Sequence, residues 1–126
     1  MTAHTLTVRG DAVRAFLLTD LYESAQIGAE IAGDDPAHDF ADDARAFAIL
    51  EAGWNRETHR LTVQAGDLDF LAGYVTAALN ATDEALTESV KYGRPWGAER
   101  RGIERGIMRG GESLSRQLWA AMRRAA

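Results

Sequence analysis

Polar and apolar residues alternate over residues 5–9 (TLTVR), placing Leu6 and Val8 on one face and predicting a short strand. Gly10-Asp11 follows, with Asp11 in position to accept a hydrogen bond from a free backbone N–H of a new helix. Val13, Phe16, Leu17, Leu21, Gly28 and Ile31 then recur every three or four residues, so the pattern predicts an amphipathic helix over 12–32 that stops at Gly33. Asp35-Pro36 restarts a helix, with Asp as the cap, Pro at the first helical position and Asp39 near the positive end of the dipole. Its predicted buried stripe is Phe40, Ala44, Phe47, Leu50 and Trp54, and Gly53 and Asn55 are its predicted stop.

Residues 60–64 (RLTVQ) read as a second strand, and Gly66-Asp67 caps a third helix. The expected core face of that helix is Leu68, Leu71, Val75, Ala78, Leu79, Leu86 and Val90, closed by Gly93 and Pro95. The two strand openings are alike, LTVRGD at 6–11 and LTVQAGD at 61–67. An internal duplication accounts for this, and so does the general preference of strand-to-helix turns for such residues. A helical hairpin between the strands returns the chain to its starting end, so the strands are expected to pair antiparallel. A two-stranded ribbon is marginal alone and must lie on helices or pair with another copy.

The remainder reads as two helical pieces. Gly102, Gly106 and Gly110 recur every four residues, beside Arg101, Arg105 and Arg109 at the same spacing. Glycine costs about 1 kcal/mol against alanine in a helix, so this stretch calls for close packing or a non-helical backbone. After Gly110-Gly111, a last helix from about Ser113 carries Leu114, Leu118, Ala121 and Ala125 on one face. The expected fold is mainly α with a small antiparallel two-stranded β-ribbon (α+β), in the order β-α-α-β-α-α-α.

Charge divides the chain. Through residue 90 there are 5 Arg against 16 Asp and Glu, a net of −11; from Lys91 onward there are 9 Lys and Arg against 3 Glu, a net of +6. Residues 1–93 therefore read as an acidic helical body. Residues 94–126 read as a basic helical segment packed on the same domain or on a partner subunit. The 126 residues suffice for one domain that folds without metal or disulfide, and 46% hydrophobic content marks it as globular. The absence of cysteine excludes thiol nucleophiles and Cys-ligated metals. No apolar run is long enough to span a bilayer and no secretory signal is visible, so the expected setting is soluble and cytoplasmic. Lys91 is the only lysine beside thirteen arginines, a bias typical of GC-rich coding that weakens the significance of any single arginine.

Three sets of residues carry candidate chemistry. Arg101, Arg105 and Arg109, with Tyr92, Arg94, Trp96 and Arg100 before them, interleave charge and rings as a nucleic-acid surface does. The overall charge of −5 opposes a polyanion, which favours docking of this segment on acidic protein instead. A second set is acidic: Asp34, Asp35, His38, Asp39, Asp42 and Asp43 crowd one helix start, with Asp20 and Glu23 on the helix before. The resulting Asp-x-x-Glu and Asp-x-x-Asp pairs resemble, over four residues, the magnesium-binding pairs of all-α nucleotide pyrophosphohydrolases. Those enzymes use glutamate-rich pairs in a helix bundle and carry no comparable strand. The resemblance implies a metal-dependent hydrolase using Asp20, Glu23, Asp39 and Asp42, with His38 as a further ligand. Crowding of aspartates at a helix start is equally what the dipole favours. Third, Trp54 reads as core, whereas Trp119 lies off the main face of its helix, where it can cap a subunit contact.

No nucleophile elbow, phosphate loop or zinc-protease pair occurs, so the sequence leans away from an enzyme and implies no cofactor. The leading expectation is a non-enzymatic interaction or regulatory protein that self-associates, with a dimer favoured. Its docking residues are Trp96, Arg101, Arg105, Arg109, Leu114, Leu118 and Trp119. The metal-dependent nucleotide hydrolase and the nucleic-acid binder are the alternatives. On the leading reading, a chain ending at Gly93 loses its oligomeric state.

Overall fold

The computed structural model describes residues 3–7, 27, 30, 41–55 and 57–125. Within them, strand β1 (Ala3–Thr7) is followed by helix α1 (Ala41–Gly53), strand β2 (Trp54–Asn55) and strand β3 (Arg60–Gln64). A short 3-10 turn (Ala65–Asp67) leads into helix α2 (Leu68–Tyr92), and helix α3 (Ala98–Ala125) completes the described order. The fold is mainly α with a small antiparallel sheet, as the periodicity predicts. The helix expected over 12–32, its Asp11 cap and its Gly33 stop lie outside the described residues apart from the helical Ile27 and Glu30. The Asp35-Pro36 restart and Phe40 also lie outside them.

The sheet has the order β1-β3-β2. β1 runs antiparallel to β3 with Leu6 opposite Leu61 and His4 opposite Val63. The alternation of RLTVQ is the physical cause of its placement: Leu61 and Val63 are buried, while Arg60, Thr62 and Gln64 face solvent. The strand expected at 5–9 begins two residues earlier, at Ala3, and Val8 and Arg9 lie outside the described residues.

Sequence patterning missed β2. Trp54, expected to end the helical stripe, instead pairs with Leu61 across an antiparallel ladder. The reason lies next to it: a Cβ on Gly53 would sit 2.1 Å from the Thr62 carbonyl oxygen, so the end of α1 touches the backbone of β3 directly. After that contact the chain continues along β3 and turns at residues 57–59, where Asn55 Oδ1 accepts the N–H groups of Glu57 and Thr58 at 2.9 and 3.1 Å. His59, with φ 54°, closes the turn and stacks on Trp54 at 6.4 Å.

The core joins Leu6, Leu61 and Val63 of the sheet to Leu50 of α1, to Leu68, Leu71, Ala72 and Val75 of α2, and to Leu114, Leu118 and Ala121 of α3. In α1 the fully buried positions are Ala46 and Leu50, so its stripe is rotated from the predicted one. In α2 the predicted Val90 is 63% exposed. Towards its C-terminal end the buried face of α2 narrows to Leu86 and Ser89, beyond the core cluster that α2 shares with the sheet.

The largest departure is α3, one continuous helix rather than two pieces broken at Gly110-Gly111. Its inward positions, Glu104, Ile107, Gly111, Leu114, Leu118 and Ala121, keep a three-to-four-residue period across the glycines. An uninterrupted packing face outweighs the propensity cost of the glycines, because most helix stability in proteins comes from such packing. No helix among the described residues is long and apolar enough to cross a membrane.

Candidate interaction surface

The turn between α2 and α3 is tied by Ser89, whose side chain is fully buried. Its hydroxyl donates to the Ala85 carbonyl at 2.7 Å and accepts the Trp96 N–H at 3.1 Å. Its own carbonyl accepts the N–H of Gly93, which is left-handed at φ 72° and ends the helix. The same carbonyl accepts Arg101 Nη1 at 2.9 Å, and the Trp96 carbonyl accepts it at 3.3 Å. Arg101, read from sequence as a docking residue, thus stabilises the C-terminal end of α2, where a cation is favoured.

Arg100 packs over the Trp96 ring at 5.8 Å and donates through Nη2 and Nε to Glu104 Oε1 at 2.7 and 2.8 Å. Glu104 is 2% exposed, so its carboxylate relies on this partner one turn away. Arg105 and Arg109 face solvent and pair with no carboxylate among the described residues. None of the described ion pairs joins the basic quarter to the acidic body.

The proposed docking residues therefore divide in two. Leu114 and Leu118 are wholly buried in the chain's own core, and Trp96 and Arg101 seal the helical turn. Arg105, Arg109 and Trp119 remain accessible, the last 37% exposed with its indole N–H donating to Thr76 Oγ1 at 3.4 Å.

Between the far halves of α2 and α3 lies an open groove of ≈ 490 Å³. Leu86, Val90 and Met108 form its apolar surface, and Asp83, Thr87, Lys91 and Arg105 rim it. Sequence reading passed over this site because it assigned Leu86 and Val90 to the core. Residue spacing held no signal for it: Val90 lies 18 residues, or five helical turns, beyond the buried Ala72 and so on the same line of α2.

A second cleft of ≈ 420 Å³ runs between β1 and α3, lined by Thr5, Thr7, Ser113, Gln117 and Arg124 among others. Gln117 Oε1 accepts the Thr7 N–H there at 3.2 Å, which satisfies one outward group of the edge strand.

Of the acidic candidates, Asp20, Glu23, His38 and Asp39 lie outside the described residues. Asp42 stands exposed in the first turn of α1. Among the described residues no three carboxylate or imidazole groups come together to hold a metal ion. The neighbouring Asp43 accepts the Tyr74 hydroxyl at 2.5 Å. Burial raises the Tyr74 phenol above its ordinary range, and the hydrogen bond and the charges of Asp43 and Asp42 raise it further. Asp67, expected to cap α2, makes no side-chain capping bond. It accepts Arg45 Nη2 at 3.3 Å instead, and that guanidinium lies 4.2 Å over the Phe70 ring.

The chain matches no protein-family model, and neither curated proteins nor solved structures yield a significant match to it.

Proposed function

We propose that this chain is a non-enzymatic interaction protein that self-associates, and that its contact surface is the outer part of the α2–α3 hairpin. The observation that supports this reading is the groove there, with Val90 63% exposed beside Met108 although the chain has a filled core elsewhere. Tyr92 and Ile103, 61% and 53% exposed, add apolar surface on the same hairpin. Apolar side chains gathered in one groove, as Leu86, Val90 and Met108 are, suit a partner-binding surface, whereas scattered single exposed residues are ordinary.

This differs from the contact expected from sequence in one respect. The apolar stripe of the last helix is occupied within the chain, so the partner meets the flank of the hairpin and not that stripe. Light scattering on the full chain over a range of concentrations tests the reading. A mass approaching twice that of the 13.7 kDa chain is expected as concentration rises. A constant single-chain mass contradicts it.

A further inference from the structure

Resting on the proposed self-association, we infer that the occupant of the groove is the same groove of a second copy, joined about a two-fold axis parallel to the hairpin. The argument begins with the charges on its two helices. The outer half of α2 exposes Asp83, Glu84 and Glu88 against the single cation Lys91, whereas the facing half of α3 exposes Arg100, Arg105 and Arg109 against Glu99 and Glu112, so the two helices carry opposite net charge. Each hairpin thus presents an acidic helix beside a basic one.

Two copies can meet groove to groove about either of two axes. An axis across the hairpin lays α3 on α3 and sets arginines against arginines. An axis along the hairpin lays α2 of each copy on α3 of the other, so both acidic–basic contacts form at once. Like charges brought together oppose the first arrangement, and self-complementarity favours the second.

Internal hydrogen bonds fix the heights of the interacting groups. Arg101 reaches Ser89 and Trp119 reaches Thr76, so along the antiparallel helices Asp83 comes level with Arg109 and Thr87 with Arg105. A rotation about an axis parallel to the helices leaves heights unchanged. It therefore brings Asp83 of each copy level with Arg109 of the other, while Leu86, Val90 and Met108 meet across the seam. Apolar contact supplies the attraction and the charges select the orientation.

Sedimentation velocity on full-length variants tests this. Asp83→Arg and Arg109→Asp are each expected to weaken dimerisation by about tenfold, because each breaks two symmetric pairs and creates repulsion. The double variant D83R/R109D is expected to recover the original affinity to within about threefold. Val90→Asp is expected to leave a monomer with an unchanged circular dichroism spectrum, since Val90 is exposed in the single chain. Dimers indifferent to all four changes overturn the groove assignment and leave self-association standing. A wild-type chain that stays monomeric to about 0.5 mM overturns both.

Discussion

Gly53 illustrates how one side chain, or its absence, organises this molecule. The Thr62 carbonyl occupies the space a Cβ would need, at 2.1 Å, and that carbonyl belongs to the central strand of the sheet. Gly53→Ala must push α1 away from β3, and a loss above about 3 kcal/mol is expected in urea unfolding. Gly102 and Gly106 present the opposite case: an added Cβ meets nothing within 4 Å at either position. Each is helical, so Gly102→Ala and Gly106→Ala should each raise stability by about 1 kcal/mol, measured as a shift of the same urea midpoint. Nothing in the structure explains why glycine stands at these two positions. Tyr74 adds a pH dependence. Its phenol titrates above the unfolded value of about 10, so the folded state holds the proton more tightly than the unfolded one. The resulting contribution is fully present below that pH and declines as pH rises beyond it. Tyr74→Phe should remove a late component from the tyrosinate absorbance titration and flatten the alkaline loss of stability.

Elements were legible in the sequence where a single periodicity decided them. β3 follows from the alternation of RLTVQ, and α2 runs from its Asp67 start to its Gly93 stop as its spacing and terminators predict. The errors arose where tertiary contacts decided the outcome. β2 exists because Gly53 allows close approach to β3, a fact invisible in the dipeptide Trp54-Asn55. α3 continues through Gly110 and Gly111 because its inward stripe meets a ready surface on α2 and the sheet. The groove was hidden for a related reason: a stripe of apolar residues tells which face is inward but not where along a helix the body ends. A consequence follows for α3. Leu118→Ala should cost about 2–5 kcal/mol, as for other wholly buried leucines, when assayed by thermal unfolding. Ending the chain at Gly93 removes Leu114, Leu118 and Ala121 from the core together, so that chain should lose its helical dichroism and not merely its partner.

At the scale of the whole molecule, the charge division of the chain acquires a local form. Arg100 and Arg101 are engaged within the α2–α3 hairpin, and at the groove the exposed Arg105 of α3 rims one side and Asp83 of outer α2 the other. Association that depends on such pairs should weaken as salt rises while the apolar seam persists, so the affinity should fall modestly and not collapse. The complementary pattern also permits a direct test by mixing. Asp83→Arg and Arg109→Asp chains each repel their own kind across the seam, but one copy of each restores both opposite-charge pairs simultaneously. Sedimentation velocity on an equimolar mixture should therefore show a heterodimer at concentrations where either variant alone is monomeric. A mixture that sediments as the simple sum of its two components would contradict the account.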